Sequence, residues 1–265
     1  MTDDMDEPRF GAAEVIQIAS KLTVDDGAFV IGGQATNLWA WYYRDVDPAL
    51  RQDQPLTSRD IDYFGSFKAA ESLAAALGGR AVRATLDDMN TPNSAIVLAT
   101  VNGKPLRIDF LTGVLGVTRR ELEEGVAIIE AAAEVEGHEF RAQIAVLHPF
   151  LCLKSRIANM LHPMLGRRDN FAWAQLHAVV AIVRVHIADA LEAGDWKEAR
   201  NCLSDVFEYL RSEPFGRAAK QELGVDVLEI LRRFQDDERI DERYRKQSLA
   251  KMIEEIEERE RKLGL

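Results

Sequence analysis

The chain has 265 residues, 47% hydrophobic and 29% charged, an ordinary globular balance with room for one large domain or two modest ones. Its formal net charge of −11 excludes sequence-independent nucleic-acid affinity from the global field, leaving only a local basic patch for such contacts. Cys152 and Cys202 lie far apart, make no metal pattern and imply no disulfide framework, which fits a reducing cytoplasm; Cys152, between Leu151 and Leu153, reads as a buried thiol.

The acidic start, Met1 to Pro8, has neither the basic nor the apolar part of a signal peptide. No apolar stretch approaches the length of a membrane span, so a soluble, cytoplasmic protein without a membrane partner is expected. Helical spacing of Val15, Ile18 and Leu22 predicts a helix over Gly11 to Leu22. Ala28 to Ile31 is a buried-strand run ending at Gly32-Gly33, and Gln34 to Tyr43 reads as a helix. A charged loop from Arg44 to Ser58 leads to a strand at Ile61 to Phe64, then an alanine-rich helix, Ala69 to Leu77, closed by Gly78-Gly79. Extended segments follow at Ala81 to Leu86, Ser94 to Val101 and Lys104 to Leu111, the last two joined by the hairpin signal Asn102-Gly103. The first part is therefore α/β (α+β), a small mixed sheet with helices.

Phe140 to Val146 reads as one more strand. From His148 onward the pattern is helical, with helices expected at Pro149 to Leu161, Ala172 to Leu191, Glu198 to Leu210, Val225 to Phe234 and Arg243 to Leu263. This divides the chain into an α/β core, residues 1–148, and a helical C-terminal region, residues 149–265. The last helix carries only a thin apolar seam of Leu249, Ile253 and Ile256; it reads as a solvated helix packed on one side, with a homodimer seam as the alternative.

Thr57-Ser58-Arg59-Asp60-Ile61-Asp62 carries the sharpest chemical signal. In a strand, Asp60 and Asp62 share a face. Two such charges ~4 Å apart repel by ~4 kcal/mol at an effective dielectric near 20. A cation between them would remove that cost, and Asp109, in the run Leu106 to Leu111, can supply a third carboxylate. Three oxygen donors suit a hard divalent cation, magnesium or manganese. A salt bridge with Arg107 on the same face is the competing explanation for Asp109.

Gly32-Gly33, between strand and helix, reads either as a phosphate seat at a helix N-terminus or as a tight turn. It fits neither the P-loop nor the dinucleotide fingerprint. Lys154 falls inside the apolar arc of Phe150, Leu153, Ile157, Ala158 and Leu161, so it must snorkel or meet an anion. Arg167-Arg168-Asp169 reads as a loop whose aspartate caps the next helix, or as a turn bringing Arg168 to phosphates and Asp169 to Lys154. The five histidines show no paired ligand spacing. Trp39, Trp41, Tyr42 and Tyr43 read as core, with base stacking as the alternative for one of them.

Taken together, these residues resemble the nucleotidyltransferase fold, the polymerase β-like superfamily. The glycine turn after the first strand, Asp60-Ile61-Asp62 and Asp109 match its motif in order. The Thr57 to Asp62 run, Lys154 and Arg168-Asp169 resemble the AbiEii-like group of toxin–antitoxin and phage-defence proteins. The resemblance implies a metal-dependent transfer of a nucleoside monophosphate from a nucleoside triphosphate to RNA, protein or a small molecule. It places Asp60, Asp62 and Asp109 as catalytic metal ligands; Gly32, Gly33, Gln34, Lys154 and Arg168 would hold the nucleotide, and an antitoxin would be a partner. Gln34 departs from the serine or threonine that commonly follows the glycines, and Arg168 replaces a lysine. The alternatives are a non-catalytic module of the same fold that binds nucleotide or a partner protein, and a metal-dependent phosphoesterase.

Overall fold

The computed structural model describes residues 9–51, 57–58, 61–84, 93–164 and 166–264. Their elements run β1 (Phe10–Gly11), α1 (Ala12–Ala19), β2 (Phe29–Ile31), α2 (Gly32–Tyr42), β3 (Thr57–Ser58), β4 (Ile61–Phe64), α3 (Phe67–Ala76), β5 (Arg80–Arg83), β6 (Asn93–Val101) and β7 (Lys104–Leu111). Then come α4 (Arg119–Glu124), β8 (Val126–Val135), β9 (His138–Leu147), α5 (Pro149–Leu161), α6 (Asn170–Glu192), α7 (Trp196–Ser212) and α8 (Pro214–Leu223). α9 (Glu229–Arg233), α10 (Glu242–Tyr244), a π-helical stretch (Arg245–Leu249) and α11 (Ala250–Leu263) complete the order. The α/β class and the helical C-terminal part follow the expectation.

Among the described residues, seven strands form one mixed sheet in the order β5-β6-β7-β4-β2-β9-β8. β4 runs parallel to β7 and antiparallel to β2, while β2 runs parallel to β9. Asn102 and Gly103, at φ 50 and 72, supply the two left-handed residues that a two-residue hairpin between β6 and β7 requires. Glu136 and Gly137, at φ 52 and 79, do the same between β8 and β9. β8 and α8 were not expected from sequence.

Helix starts are set by local chemistry. Ser66 caps α3 and Asp169 caps α6, accepting from the backbone N–H of Ala69 and Ala172. Pro149 opens α5 at a position whose missing N–H costs nothing. α1 packs against β8 and β9, α2 against β2 and β4, and α3 against β5 and β6. α5 and α6 pack on each other and both on α2, so the apolar side chains of the sheet and of the helices join in one core.

α6 corrects one expectation. It has 23 residues and an 18-residue window of mean hydropathy 1.5, long and apolar enough to cross a membrane by length and composition. Within the protein 61% of that window is buried, because α2, α5 and α7 pack around it. Cys152 and Cys202 are both buried free thiols, and burial pushes the Cys152 thiol up to about 12.

Candidate functional site

Strand alternation builds the site. Ile61 and Tyr63 enter the core, so Asp62 between them takes the opposite face. On β7, Ile108 and Phe110 are buried, which turns Asp109 the same way. The parallel register pairs Asp62 with Asp109, side by side on one face. Like charges in that relation destabilise a sheet unless they are neutralised. Asp60 lies outside the described residues.

Asp62 also stands opposite Ile31 at the end of β2. The next residue, Gly32, begins α2 with φ +64, and a Cβ there would collide with the Asp62 carboxylate. Glycine is thus required twice over, by backbone conformation and by the carboxylate lying against it. Gly32→Ala is expected to cost at least ~2 kcal/mol of stability and to displace Asp62, read as a fall in thermal midpoint. Gly33 has a different reason: a Cβ there would sit 2.9 Å from the Gln175 amide.

A cleft of about 570 Å³ opens at this point. Gly32 and Asp62 form one wall, Arg156 of α5 and Gln175 of α6 another, and Arg167 and Phe171 the rim. An Arg156 guanidinium nitrogen donates to Gln175 Oε1 at 2.9 Å, and Gln175 Nε2 donates to Asn37 Oδ1 at 3.0 Å. Burial pushes the Arg156 guanidinium down, while the Asp62 charge opposes that, so Arg156 remains a cation. Its buried Nε has no hydrogen-bond partner among the described residues, a donor at the cleft wall suited to an anion. The Arg9 guanidinium lies 3.8 Å from the centre of the Phe171 ring, at the same cleft.

Asp109 is held as the competing reading anticipated. Arg107 donates to its carboxylate at 3.0 and 3.2 Å, and Asn93 Nδ2 donates at 3.1 Å. The Arg107 side chain is 53% exposed, so this pair is worth at most about 1 kcal/mol. An attraction of that size does not keep a carboxylate from a divalent ion. The donor set of Asp62 and Asp109 therefore fits a hard cation that takes oxygen ligands.

Three other expectations are corrected. Lys154 is buried, but its Nζ donates to Glu121 Oε1 at 2.6 Å and to Glu213 Oε1 at 2.7 Å, away from the cleft. It did need an anion, and two protein carboxylates provide it. Arg168 Nε donates to the Met160 carbonyl at 3.1 Å, leaving the rim to its neighbour Arg167. The Gln34 side chain is buried in the fold, donating to the Phe10 carbonyl at 3.1 Å and accepting from Asn37 at 3.0 Å. Gln34→Ala is expected to lower stability by about 2 kcal/mol, because it strands both partners, and to leave nucleotide affinity unchanged in a binding titration.

Asp169 caps α6 and lies at the cleft, not on Lys154. In the aromatic cluster after the glycines, Trp39 Nε1 donates to the Leu147 carbonyl at 2.8 Å and Trp39 stacks on Tyr43, which is a core role. Arg156, Gln175 and Phe171 were missed in the sequence. The available signal for Arg156 was a second cation two residues beyond Lys154, which a helix turns to another side.

No protein-family model and no curated protein matches the chain. A crystal structure of an antigenic nucleotidyltransferase-like protein from Paracoccidioides brasiliensis aligns with 81% of this chain and 95% of its own, at 11% identity and a TM-score of 0.39.

Proposed function

We propose that the cleft is the active site of a metal-dependent nucleotidyltransferase. The observation that supports this most is the in-register pair Asp62 and Asp109, with the Asp62 carboxylate against Gly32 at the start of α2. Asp62 and Asp109 would hold magnesium or manganese, joined by Asp60 on the sequence pattern. When bound, such ions stabilise charge on the attacking and leaving oxygens.

The chain's own groups have separate tasks. The free N–H groups at the start of α2 face the phosphates. Arg156 and Arg167 balance phosphate charge from the other wall. Phe171, 41% exposed, offers a base a stacking surface. The bond from the acceptor oxygen to the α-phosphorus forms as the bond to the bridging oxygen breaks, and pyrophosphate leaves. The hydroxyl proton passes to an Asp109 carboxylate oxygen and then to water.

The acceptor is RNA, a protein or a small molecule. A toxin–antitoxin or phage-defence setting rests on the AbiEii-like look of Thr57 to Asp62, and a small repressor-like gene next to this one would support it. The test is incubation with labelled ATP, CTP, GTP or UTP, magnesium, and cell RNA or lysate. Label transfer that disappears in Asp62→Ala supports the reading; release of orthophosphate instead of pyrophosphate selects a phosphoesterase. A second reading, nucleotide binding without turnover, is favoured by the Arg107 and Asn93 donors on both Asp109 oxygens, which compete with an acceptor proton though not with a metal ion. It is selected by binding that persists in Asp109→Ala with no transfer in the wild type.

A further inference from the structure

A second set of ligand-type side chains meets where three helices converge. His148 caps α5, His186 lies within α6, and Glu198 is in the first turn of α7. The His148 Nε2, His186 Nε2 and Glu198 Oε1 atoms form a triangle with sides of 2.8, 3.0 and 3.2 Å. The three side chains are 19%, 14% and 35% exposed, which leaves a path from solvent.

We propose that His148, His186 and Glu198 bind a zinc-class transition metal, with the fourth position open to water. Without an ion, the two ring nitrogens and the carboxylate oxygen are held together only by hydrogen bonds whose donors depend on the tautomers. An ion needs only a modest spreading of this triangle: ligands ~2.1 Å from a tetrahedral centre lie about 3.4 Å from one another. Two nitrogens and one oxygen favour zinc over magnesium, which prefers oxygen alone.

The surroundings fix one ligand in the required state. The Tyr43 hydroxyl is 3.1 Å from His186 Nδ1 and donates to Asp189 Oδ2 at 3.4 Å. With its proton directed to Asp189, the Tyr43 oxygen offers a lone pair to His186 Nδ1. It then accepts from His186 Nδ1–H and leaves Nε2 free to ligate. The Trp39 ring meets His186 edge-on at 5.7 Å and limits its rotation. At His148 the metal has a competitor: the Phe150 N–H donates to Nδ1 at 3.3 Å. Ligation through Nε2 puts the proton on Nδ1 and gives up that long contact. The ion would tie the end of β9 and the start of α5 to α6 and α7.

Chelator-treated full-length protein is titrated with zinc by calorimetry and with cobalt(II) by visible absorption. The expected result is one equivalent bound, the strong visible band of low-coordinate cobalt, and a thermal midpoint raised by zinc. Glu198→Ala, on a partly exposed first turn, keeps the fold and weakens zinc at least ~100-fold, whereas Tyr43→Phe weakens it ~10-fold. Asp62→Asn leaves zinc binding unchanged, which separates this site from the cleft. Absence of saturable zinc binding in the wild type, or unchanged binding in both Glu198→Ala and His186→Gln, overturns the proposal.

Discussion

Asp62→Asn is expected to lower nucleotidyl transfer by ~10³-fold or more, the scale of losing a preorganised charge at a reacting centre. The amide matches the carboxylate in shape and still accepts hydrogen bonds, so the neighbouring Gly32 backbone need not move. Circular dichroism and the thermal midpoint should therefore stay close to wild type while transfer disappears. A structural aspartate would show the reverse, a fallen midpoint with the rate per folded molecule intact. Removing one of two adjacent like charges also relieves repulsion with Asp109, which offsets the support that Arg156 loses with the Asp62 charge.

Lys154→Ala should give the opposite pattern. Its ammonium is buried between Glu121 and Glu213, and truncation leaves two carboxylates facing each other across a void. Breaking a buried pair costs about 3–5 kcal/mol. Glu121 and Glu213 are 32% and 40% exposed, so solvent screening places the cost near the low end, about 3 kcal/mol. That corresponds to a thermal midpoint lower by roughly 5–10 °C, with magnesium-dependent nucleotide affinity unchanged.

Glu121 adds a pH signature. Burial pushes its carboxyl up, but hydrogen bonds from Lys154 and Thr118 and the Lys154 charge outweigh that and hold it below its ordinary value of 4.5. A depressed carboxyl stabilises the fold above its unfolded value and loses that contribution as pH falls through its folded value. Wild type should therefore lose stability below about pH 4.5, where the unfolded chain's Glu121 takes up a proton before the folded one does, and Lys154→Ala should show a shallower acid slope.

The carboxylate pair could be read from the chain because alternation is local: Ile61 and Ile108 flank the aspartates with residues that can only face inward. The Asn102-Gly103 hairpin was readable for the same reason. β8 was not, since its buried positions are mostly small, Ala131 and Ala133 beside Ile129, and carry little hydrophobic contrast. α8 begins at Pro214 directly after α7, so proline read as a stop also marks a start. The faces of α5 were half readable. The apolar arc showed that Lys154 needs an anion, but only tertiary structure says that the anion is Glu121 and Glu213 and that Arg156 reaches the cleft. The His148, His186 and Glu198 cluster comes from three helices, and no spacing rule joins residues so far apart in the chain.

The most direct measurement is equilibrium binding of each of the four nucleoside triphosphates across a magnesium titration, in wild type, Asp62→Asn and Lys154→Ala. Magnesium-dependent binding of at least one nucleotide is expected for wild type and Lys154→Ala, weakened ~100-fold or more in Asp62→Asn. Absence of magnesium-dependent nucleotide binding by folded wild type, or equal binding by folded Asp62→Asn, would overturn Asp62 as a metal ligand of a nucleotide site.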